Sequence, residues 1–290
     1  MRPAIPSLKR IAVAAHPQLP VAIEESARIV QYLQEQGVEA EMGMLYAEEL
    51  RRRILAGDFD LLIALGGDGT MLRAGHLCGP SGTPILGVNL GRFGFLMEIH
   101  KQEWQQMMPR LLEGSYWLEQ RMMLCAELWR GEEQLGHWEV LNEVVVTRGD
   151  LVRPVHLVAS VDGHFLTTYV ADALIASTAT GSTAYALAAG GPILPPELRN
   201  ILLVAVAPHL SLDRAVVLPE GAAVSIRVHT DHQAVLSVDG QPPVEMADGD
   251  RVDAFASNHT VSFVRFQDPG YFYRNLTKHM EQNPSTGDRR

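Results

Sequence analysis

The chain contains little cysteine, because Cys78 and Cys125 are the only thiols in its 290 residues. Two cysteines cannot build the disulfide framework of a small secreted domain, and their positions do not match the paired spacing of a zinc motif. Of the 11 histidines, the closest pair, His229 and His232, flanks Asp231, where we expect a hairpin turn. No second ligand pair lies at a zinc-like spacing, so no zinc site is expected. The composition favours a protein of the reducing cytoplasm.

Positive charge is also scarce, since 24 Lys and Arg face 34 Asp and Glu, for a net charge of −10. The chain has only three lysines and no Gly-x-x-x-x-Gly-Lys-Ser/Thr sequence, which excludes a P-loop nucleotide site. A nucleic acid or an anionic membrane would require a large basic face, so we expect neither as a partner. Any phosphate that the protein handles must be bound locally.

Long apolar runs are missing as well. The run 11–15, which follows two basic residues, is too short for a signal peptide. Residues 173–196 carry no charge, but their hydroxyls, glycines and three prolines disfavour insertion into a bilayer. We therefore expect neither a leader nor a membrane span.

The remaining composition is that of a folded globule, with 47 % apolar and 20 % charged residues, and the length implies two domains. Within residues 9–98, short apolar runs alternate with helical spacing, which predicts a parallel sheet covered on both faces. The predicted strands lie at 11–15, 38–44, 60–65 and 84–88, and the predicted helices at 23–33, ended by Gly37, and at 47–55.

A helix predicted between 99 and 113, ended by Gly114 and kinked by Pro109, marks the domain boundary. The pattern then changes to β-branched and aromatic runs separated by turn signals. Those signals are Asp162-Gly163, Asp239-Gly240, Asp248-Gly249 and Ser257-Asn258. Asp-Gly between apolar runs is typical of a tight hairpin, so this region predicts an antiparallel β-sandwich. Helical spacing returns around Phe272, and 284–290 should form a frayed tail. We predict an α+β protein with an α/β domain at 1–98 and a β-sandwich domain at 99–266.

The third predicted strand runs into a glycine-rich loop, Gly66-Gly67-Asp68-Gly69-Thr70. Ligands bind at the carboxyl ends of strands in an open α/β sheet, and glycines let backbone N–H groups close on a phosphate. The Asp68 carboxylate would repel that phosphate unless it takes a proton from an attacking hydroxyl or holds a divalent cation. The loop indicates phosphoryl transfer; the alternative is a tight turn in which Asp68 caps the next helix.

The uncharged stretch divides into a strand at 173–177, a hydroxyl-rich loop at 178–183 and a short helix at 184–189. Hydroxyls and free N–H groups at a helix start can bind ribose and phosphate oxygens without side-chain charge. The alternative is a Ser/Thr helix cap on a glycine-rich connection.

Five segments together resemble the NAD kinase family, in the family's order and over nearly the whole chain. They are 66–70, 89–96, Asn142-Glu143, 177–185 followed by Gly190-Gly191-Pro192, and Pro208-His209. The first segment alone is shared with 6-phosphofructokinases and with diacylglycerol or sphingoid-base kinases, whereas the ordered set is specific.

The resemblance implies that a C-terminal segment, 267–290, returns to the first domain and that a neighbouring subunit often completes the NAD site. The implied activity is phosphorylation of the 2′-hydroxyl of the adenosine ribose of NAD to NADP, with ATP or another polyphosphate as donor. The implied metal is Mg²⁺ or a similar divalent cation, assigned to no protein side chain. The implied partners are NAD, ATP and further copies of the chain in a homodimer or homotetramer.

Carried over by position, Asp68 would be the general base, and Asn142 and Glu143 would hold the ribose or nicotinamide half of NAD. A polar interruption of a strand at 138–146 is the alternative for that pair. The other implied phosphate-loop and NAD-binding positions are Gly66, Gly67, Gly69, Thr70, Arg73, Arg153, Asp172, Thr183, Ala184, Tyr185, Ala186, Leu187, Ala188, Ala207 and Gln241. Both arginines could instead be solvated surface residues.

Three residues depart from the family pattern: Val170, Ala179 and Ala188. They should affect affinity more than chemistry. Two other functions remain open, a related kinase for a lipid or sugar hydroxyl and a dinucleotide-binding sensor without turnover. The acidic balance disfavours a lipid kinase, and Asp68 disfavours a sensor. Donor choice, preference for NAD or NADH, and subunit number stay open.

Overall fold

The computed structural model describes residues 8–282 apart from positions 17, 92–93, 150–152 and 210–211. It divides into two compact units, one with the described residues up to Gln120 and from His259 onward, the other with Arg121–Asn258. None of the helices within these ranges combines the length and apolar character needed to cross a membrane. The predicted tail at 284–290 lies outside the described residues.

The first unit is built on a parallel sheet in the order β2-β1-β3-β4. Its elements are β1 (Arg10–Ala15), α1 (Pro20–Glu35), β2 (Glu39–Met44), α2 (Glu48–Leu55), β3 (Leu61–Gly66), α3 (Asp68–Ser81), β4 (Ile85–Asn89), β5 (Ile99–His100) and α4 (Trp104–Leu112). The strands and helices predicted before residue 98 are thereby confirmed. Gly37 has φ +79° just after α1, a left-handed conformation that ends helices.

The first unit extends beyond the boundaries expected from the sequence, which lay after residues 98 and 266. Trp104, Met108 and Leu111 of α4 are buried in the same core as Ile63 of β3 and Leu86 of β4. The apolar face of α4 is removed from water by packing on this sheet. Residues 99–120 therefore belong to the first unit.

The second unit is a β-sandwich, as predicted. Its elements are β6 (Trp117–Arg130), β7 (Glu133–Val140), β8 (Glu143–Arg148), β9 (Val155–Val161), β10 (His164–Ala171), β11 (Ala173–Ser177), a 3-10 turn (Gly181–Thr183), α5 (Tyr185–Ala188), β12 (Asn200–Val206), β13 (Val216–Pro219), β14 (Ala223–His229), β15 (Ala234–Val238), β16 (Val244–Met246) and β17 (Arg251–Arg265). One sheet has the order β13-β12-β11-β8-β15-β16, and β10-β9-β14-β17 run antiparallel in the other. Val146 and Leu174, from the sheet that contains β8 and β11, share a core with Leu157 and Ile226, from the sheet that contains β9 and β14.

The Asp-Gly turns lie where they were predicted. Asp162 and Gly163 join β9 to β10 with φ of 52° and 78°, the positive pair that a two-residue hairpin turn requires. Asp239-Gly240 follows β15, and Asp248-Gly249 precedes β17.

Two turn predictions are wrong. Ser257-Asn258 lies inside β17, which continues because buried side chains lie on both sides of that pair, Val252 and Ala254 before it and residues 261–265 after it. His229 and His232 do not flank a hairpin turn, since β14 and β15 belong to different sheets and the connection between them crosses the sandwich.

The C-terminal part of β17 and the final helix, α6 (Tyr271–Gln282), are tied to the first unit by a buried charge network. The fully buried Arg265 guanidinium donates to Glu98 at 3.1 Å and to Glu119 at 2.9 Å. The Tyr271 hydroxyl also donates to Glu119, at 2.9 Å. Buried charges of this kind persist only when they are paired, so the network specifies where the returning chain docks.

Candidate active site

The Gly-Gly-Asp-Gly loop joins β3 to α3 at the carboxyl end of the parallel sheet. Gly67 is the N-cap of α3, and Asp68 is the first helical residue. The two oxygens of Asp68 accept hydrogen bonds from the backbone N–H groups of Phe95, at 2.9 Å, and Leu96, at 3.2 Å. The interpretation of Asp68 as the helix cap is therefore wrong: its carboxylate is held by a second loop.

Gly94 allows that second loop to approach the carboxylate. A Cβ atom at position 94 would lie 2.1 Å from Asp68 Oδ1 and 2.3 Å from its Cγ. No side chain larger than hydrogen fits there without moving the carboxylate. The family motif at 89–96 thus has a physical role in positioning Asp68, although its middle, 92–93, lies outside the described residues.

The other loop residues have mixed environments. Thr70 is buried, and its N–H donates to the Gly67 carbonyl at 2.8 Å. Gly69 and Arg73 are exposed on the first turns of α3. Gly66 is the last residue of β3 and pairs with Asn89 of β4.

Asn89 is a residue whose individual importance the sequence did not show. It is buried, and its Oδ1 accepts the Gly91 N–H at 3.0 Å. Among the residues that the structure describes, no acceptor lies within hydrogen-bond distance of its Nδ2. An unsatisfied buried amide is costly, and this one stands beside the glycine-rich loop.

In the second unit, the carboxylate of Asp239 organises the turn between β7 and β8. It accepts three consecutive backbone N–H groups, those of Leu141 at 2.7 Å, Asn142 at 2.9 Å and Glu143 at 2.8 Å. Asn142 therefore lies at a junction between two strands, and the expected single strand at 138–146 is wrong. The sequence showed Asp239 only as half of a turn signal, because its partners lie almost 100 positions earlier in the chain.

Glu143 is buried, and this burial is the main reason that its pKa is raised to about 8; the Asp239 charge raises it further. The N–H of Tyr185 donates to the carboxyl and partly opposes the shift. Its Oε2 has no hydrogen-bond partner within the described part of the chain. At neutral pH the carboxyl is mostly protonated, so it can donate a hydrogen bond as well as accept one.

The hydroxyl-rich loop is largely self-bonded. Ser177 Oγ donates to the Asn142 carbonyl at 3.1 Å, Thr178 Oγ1 to the Leu141 carbonyl at 2.6 Å, and Ser182 Oγ to the Ala179 carbonyl at 2.7 Å. The stretch lacks charge because most of it is buried and its polar groups satisfy one another. Its hydroxyls brace the site more than they line it.

Glycine is required once in this loop. A Cβ atom at Gly181 would lie 2.3 Å from the Asn142 carbonyl oxygen, so only glycine lets the loop pack on the β7–β8 junction.

The implied ligand residues after this loop fall on the 3-10 turn and α5. Thr183, Ala184 and Leu187 are half-buried, Ala186 is buried, and Ala188 and Tyr185 are exposed. The Tyr185 side chain is 43 % exposed, so its ring is free to stack on a ligand. Gln241 is half-buried in the turn that also holds Asp239.

Three implied residues lie elsewhere. Strand β11 pairs with β8 so that Ser177 faces Glu143 and Ala173 faces Thr147, which puts Asp172 and Ala207 at the far end of β11 from Glu143. Asp172 there pairs with Arg148 at 3.0 Å.

Arg153 is on the surface, 3.8 Å from Asp231. The structure thus does not bring Asp172, Ala207 or Arg153 to the Asn142–Glu143 junction of the same chain.

The three departures from the family pattern are conservative in this fold. Ala179 is buried and keeps its carbonyl bonded to Ser182. Val170 lies in β10, and its carbonyl accepts the His209 N–H at 2.7 Å. Ala188 is exposed.

Comparison with known proteins gives both units the same relatives. The ATP-NAD kinase N-terminal domain matches residues 11–116, and the ATP-NAD kinase C-terminal domain matches residues 141–266. The NAD kinase of Chloroflexus aurantiacus is 40 % identical over 277 residues, covering 95 % of this chain and 100 % of the relative. That of Heliobacterium modesticaldum is 38 % identical over 281 residues, covering 94 % and 98 %.

Solved structures agree. Yeast NADH kinase complexed with NADH has the same fold, with a TM-score of 0.83 at 24 % identity, covering 98 % of this chain and 91 % of that one. An NAD kinase from Archaeoglobus fulgidus in complex with ATP has a TM-score of 0.73 at 26 % identity, covering 94 % and 99 %. Because the similarity spans both domains and nearly the full length of the relatives, this chain belongs to the NAD kinase family.

Proposed function

We propose that this protein phosphorylates the 2′-hydroxyl of the adenosine ribose of NAD to give NADP, with ATP as the phosphoryl donor. The observation that carries the proposal is the fixed carboxylate of Asp68, held by two backbone N–H groups at the carboxyl end of β3. A carboxylate in a glycine-rich loop serves a phosphoryl transfer to an alcohol, which needs an acceptor for the alcohol's proton.

Asp68 acts as the general base. The 2′-oxygen of the ribose bonds to the γ-phosphorus as the bond from that phosphorus to the bridging oxygen breaks, and ADP leaves with the electron pair. The proton of the hydroxyl passes to Asp68. The amides of Phe95 and Leu96 fix the side-chain conformation of Asp68, so that one lone pair of the carboxylate faces the hydroxyl before the reaction begins.

The β7–β8 junction supplies the NAD-binding groups of the second unit. Asn142 offers a side-chain amide, and Tyr185 offers an exposed ring. Glu143 offers a mostly neutral carboxyl whose Oε2 makes no hydrogen bond to the described residues. These groups bind a ribose or nicotinamide without placing a charge against the pyrophosphate. Thr183 and Gln241 are further NAD-binding groups of this unit. In the first unit, Arg73 and the amides of Gly67 and Gly69 receive phosphate.

The reaction requires a divalent cation, Mg²⁺ or a similar hard ion. The loop offers one carboxylate and backbone groups, a donor set that suits an ion which keeps most of its water and arrives on the donor's phosphates. When bound, the ion neutralises charge on the transferring phosphoryl group. We also place the enzyme in the cytoplasm, in keeping with its two free cysteines.

The active form is a homo-oligomer, because Asp172 and Ala207 lie five strand positions, about 17 Å, from the Asn142–Glu143 junction of their own chain. One ribose or adenine cannot touch both groups. A second copy can bring its own Asp172 end to the junction of the first, which completes the site across a symmetric interface.

Product formation tests the proposal directly. NAD and NADH should each be incubated with ATP or inorganic polyphosphate, with Mg²⁺ or with excess EDTA. We expect NADP from NAD, ATP and Mg²⁺, and none with EDTA. Tight NAD binding without product in every arm would identify a sensor, and undiminished turnover in EDTA would refute the metal requirement.

A further inference from the structure

The β6–β7 hairpin carries a cluster of metal-ligating side chains that the proposed function does not use. Alternate residues of β6, Leu124, Ala126 and Leu128, face the sandwich core. Cys125 and Glu127 therefore share the opposite face of the strand. In the antiparallel pair, His137 of β7 lies directly opposite Glu127.

The ligand atoms of these residues converge on one point. Cys125 Sγ lies 3.5 Å from His137 Nδ1, and that nitrogen lies 3.8 Å from Glu127 Oε1. All three atoms lie within 4.8 Å of one another. Around a tetrahedral Zn²⁺ with Zn–S near 2.3 Å and Zn–N near 2.0 Å, neighbouring ligand atoms stand about 3.5 Å apart.

The same geometry argues against a nucleophilic cysteine. A Cys-His-Glu triad uses one ring nitrogen toward sulfur and the other toward the carboxylate. Here Nδ1 approaches both the Cys125 sulfur and the Glu127 carboxylate. The three groups surround a common centre and do not form a relay.

The Glu127 carboxylate is also oriented from outside the cluster. The Trp129 indole N–H donates to Glu127 Oε2 at 3.1 Å, which leaves Oε1 toward His137. Outer hydrogen bonds of this kind commonly orient the carboxylate ligands of a metal. The Glu127 and His137 side chains are 23 % and 53 % exposed, so an ion and a coordinating water can reach them.

We propose that Cys125, Glu127 and His137 form a zinc site on the β6–β7 hairpin, with water as the fourth ligand. Thiolate and imidazole ligands select Zn²⁺ over the harder Mg²⁺ that phosphoryl transfer uses. The site is independent of the reaction proposed above. The sequence did not reveal it because its ligands are brought together by cross-strand pairing and not by a short motif.

Metal binding to the full chain tests the site. Protein stripped with EDTA and dialysed is titrated with Co²⁺, then with Zn²⁺ against a chelator of known affinity. We expect one ion per chain and a thiolate-to-cobalt charge-transfer absorption. Cys125→Ser should abolish that absorption, and both Cys125→Ser and His137→Gln should weaken Zn²⁺ binding at least about tenfold.

Matched variants exclude non-specific effects. Cys78→Ala removes the other thiol, and His164→Gln removes an exposed histidine from a different hairpin; both should bind metal as the parent does. His137 is exposed, so His137→Gln should fold, and its melting curve without metal confirms this. Equal Zn²⁺ affinity in the parent and His137→Gln, or a cobalt spectrum without thiolate absorption, would overturn the proposal.

Discussion

At the scale of single residues, the orientation of Asp68, the base of the proposed reaction, is set by the groups that bond to its carboxylate. Asp68 accepts two backbone N–H groups, so its orientation is specified before any substrate binds. Its neighbours in sequence are glycines and a threonine, which contribute little to that orientation through side chains. Its carboxylate is oriented by a loop more than 20 positions away in the sequence.

Asp68→Asn should lower kcat by about 10² to 10⁴, the usual contribution of a positioned general base. The NAD dissociation constant should change little, because the groups proposed to bind NAD lie at the β7–β8 junction. One amide of the second loop loses its acceptor, so a stability loss of about 1–3 kcal/mol accompanies the change. Initial rates, calorimetric NAD affinity and melting temperature on one preparation check all three effects.

Asp60→Asn is the control for that variant. Asp60 also accepts two backbone N–H groups in the first unit, those of Lys9 and Arg10, but lies outside the loop. Both bonds end on Oδ2, which an amide oxygen can replace, so this variant should keep its turnover and nearly all of its stability. If Asp68→Asn retains more than about a tenth of the parental rate, Asp68 is not the essential base.

Glu143→Gln should remove a pH dependence of stability. Because the pKa of Glu143 rises from 4.5 to about 8 on folding, the folded state binds more protons between these values. Stability due to this group is therefore highest below pH 4.5 and falls as pH rises toward 8. The free energy of unfolding of the variant should equal that of the parent at pH 5 and exceed it by on the order of 3–5 kcal/mol at pH 8.

Urea unfolding at several pH values measures this difference. Glu133→Gln, at an exposed position of β7, serves as the control and should leave the pH profile of the parent unchanged. A constant difference between Glu143→Gln and the parent from pH 5 to 8 would show that the buried carboxyl does not titrate in this range.

At the scale of elements, a close approach between two loops positions candidate site residues in each unit. In the first unit Gly94 allows the loop after β4 to reach Asp68, and in the second Gly181 allows the hydroxyl-rich loop to reach Asn142. Both contacts involve a backbone or a carboxylate that cannot yield cheaply. Gly94 and Gly181 therefore serve close approach.

Gly94→Ala should mimic loss of the base while leaving Asp68 in place. The new Cβ would overlap the carboxylate at 2.1 Å, and a displacement of about 1 Å costs roughly 10² in rate. Gly91→Ala, in the same loop, meets no atom of the described residues within 4 Å and should retain parental kcat. Steady-state kinetics of both variants decide the matter; equal kcat values would mean that the loop yields instead of the carboxylate.

At the scale of the whole molecule, a site shared between two copies of the chain can be detected by complementation between two inactive variants. If each site takes Asn142 from one copy and Asp172 from another, Asn142→Ala and Asp172→Ala should each be nearly inactive alone. Co-expressed, they form mixed dimers with one intact site, so about a quarter of parental activity should return. The assay is NADP formation by the co-purified protein.

A second pair of variants controls for general rescue. Asn142 and Tyr185 belong to the same half of the site, so co-expression of Asn142→Ala with Tyr185→Ala leaves every site broken. No activity should return. Recovery by neither pair, with sedimentation showing a fully active monomer of the parent, would disprove the shared site.

Local pattern by itself predicted the alternating strands and helices of the first unit and the strand-rich character of the second. Periods of two and of three to four residues are set within each segment, so the strands, the first helices and the Asp-Gly turns could be predicted. The turn predicted at Ser257-Asn258 does not form, because the buried residues that flank this pair within β17 outweigh a weak turn signal. Family motifs predicted Asp68, Asn142 and Glu143 as candidate site residues because each motif is contiguous in sequence.

Only the tertiary structure decided how these pieces act. The amides on Asp68, the three amides on Asp239 and the convergence of Cys125 with His137 join residues from separate segments. The same holds for the separation of Asp172 from Glu143, which depends on the antiparallel register of β11 with β8. Such contacts arise from strand pairing and loop packing, in which the free energy depends on the partner segment and not on the local sequence.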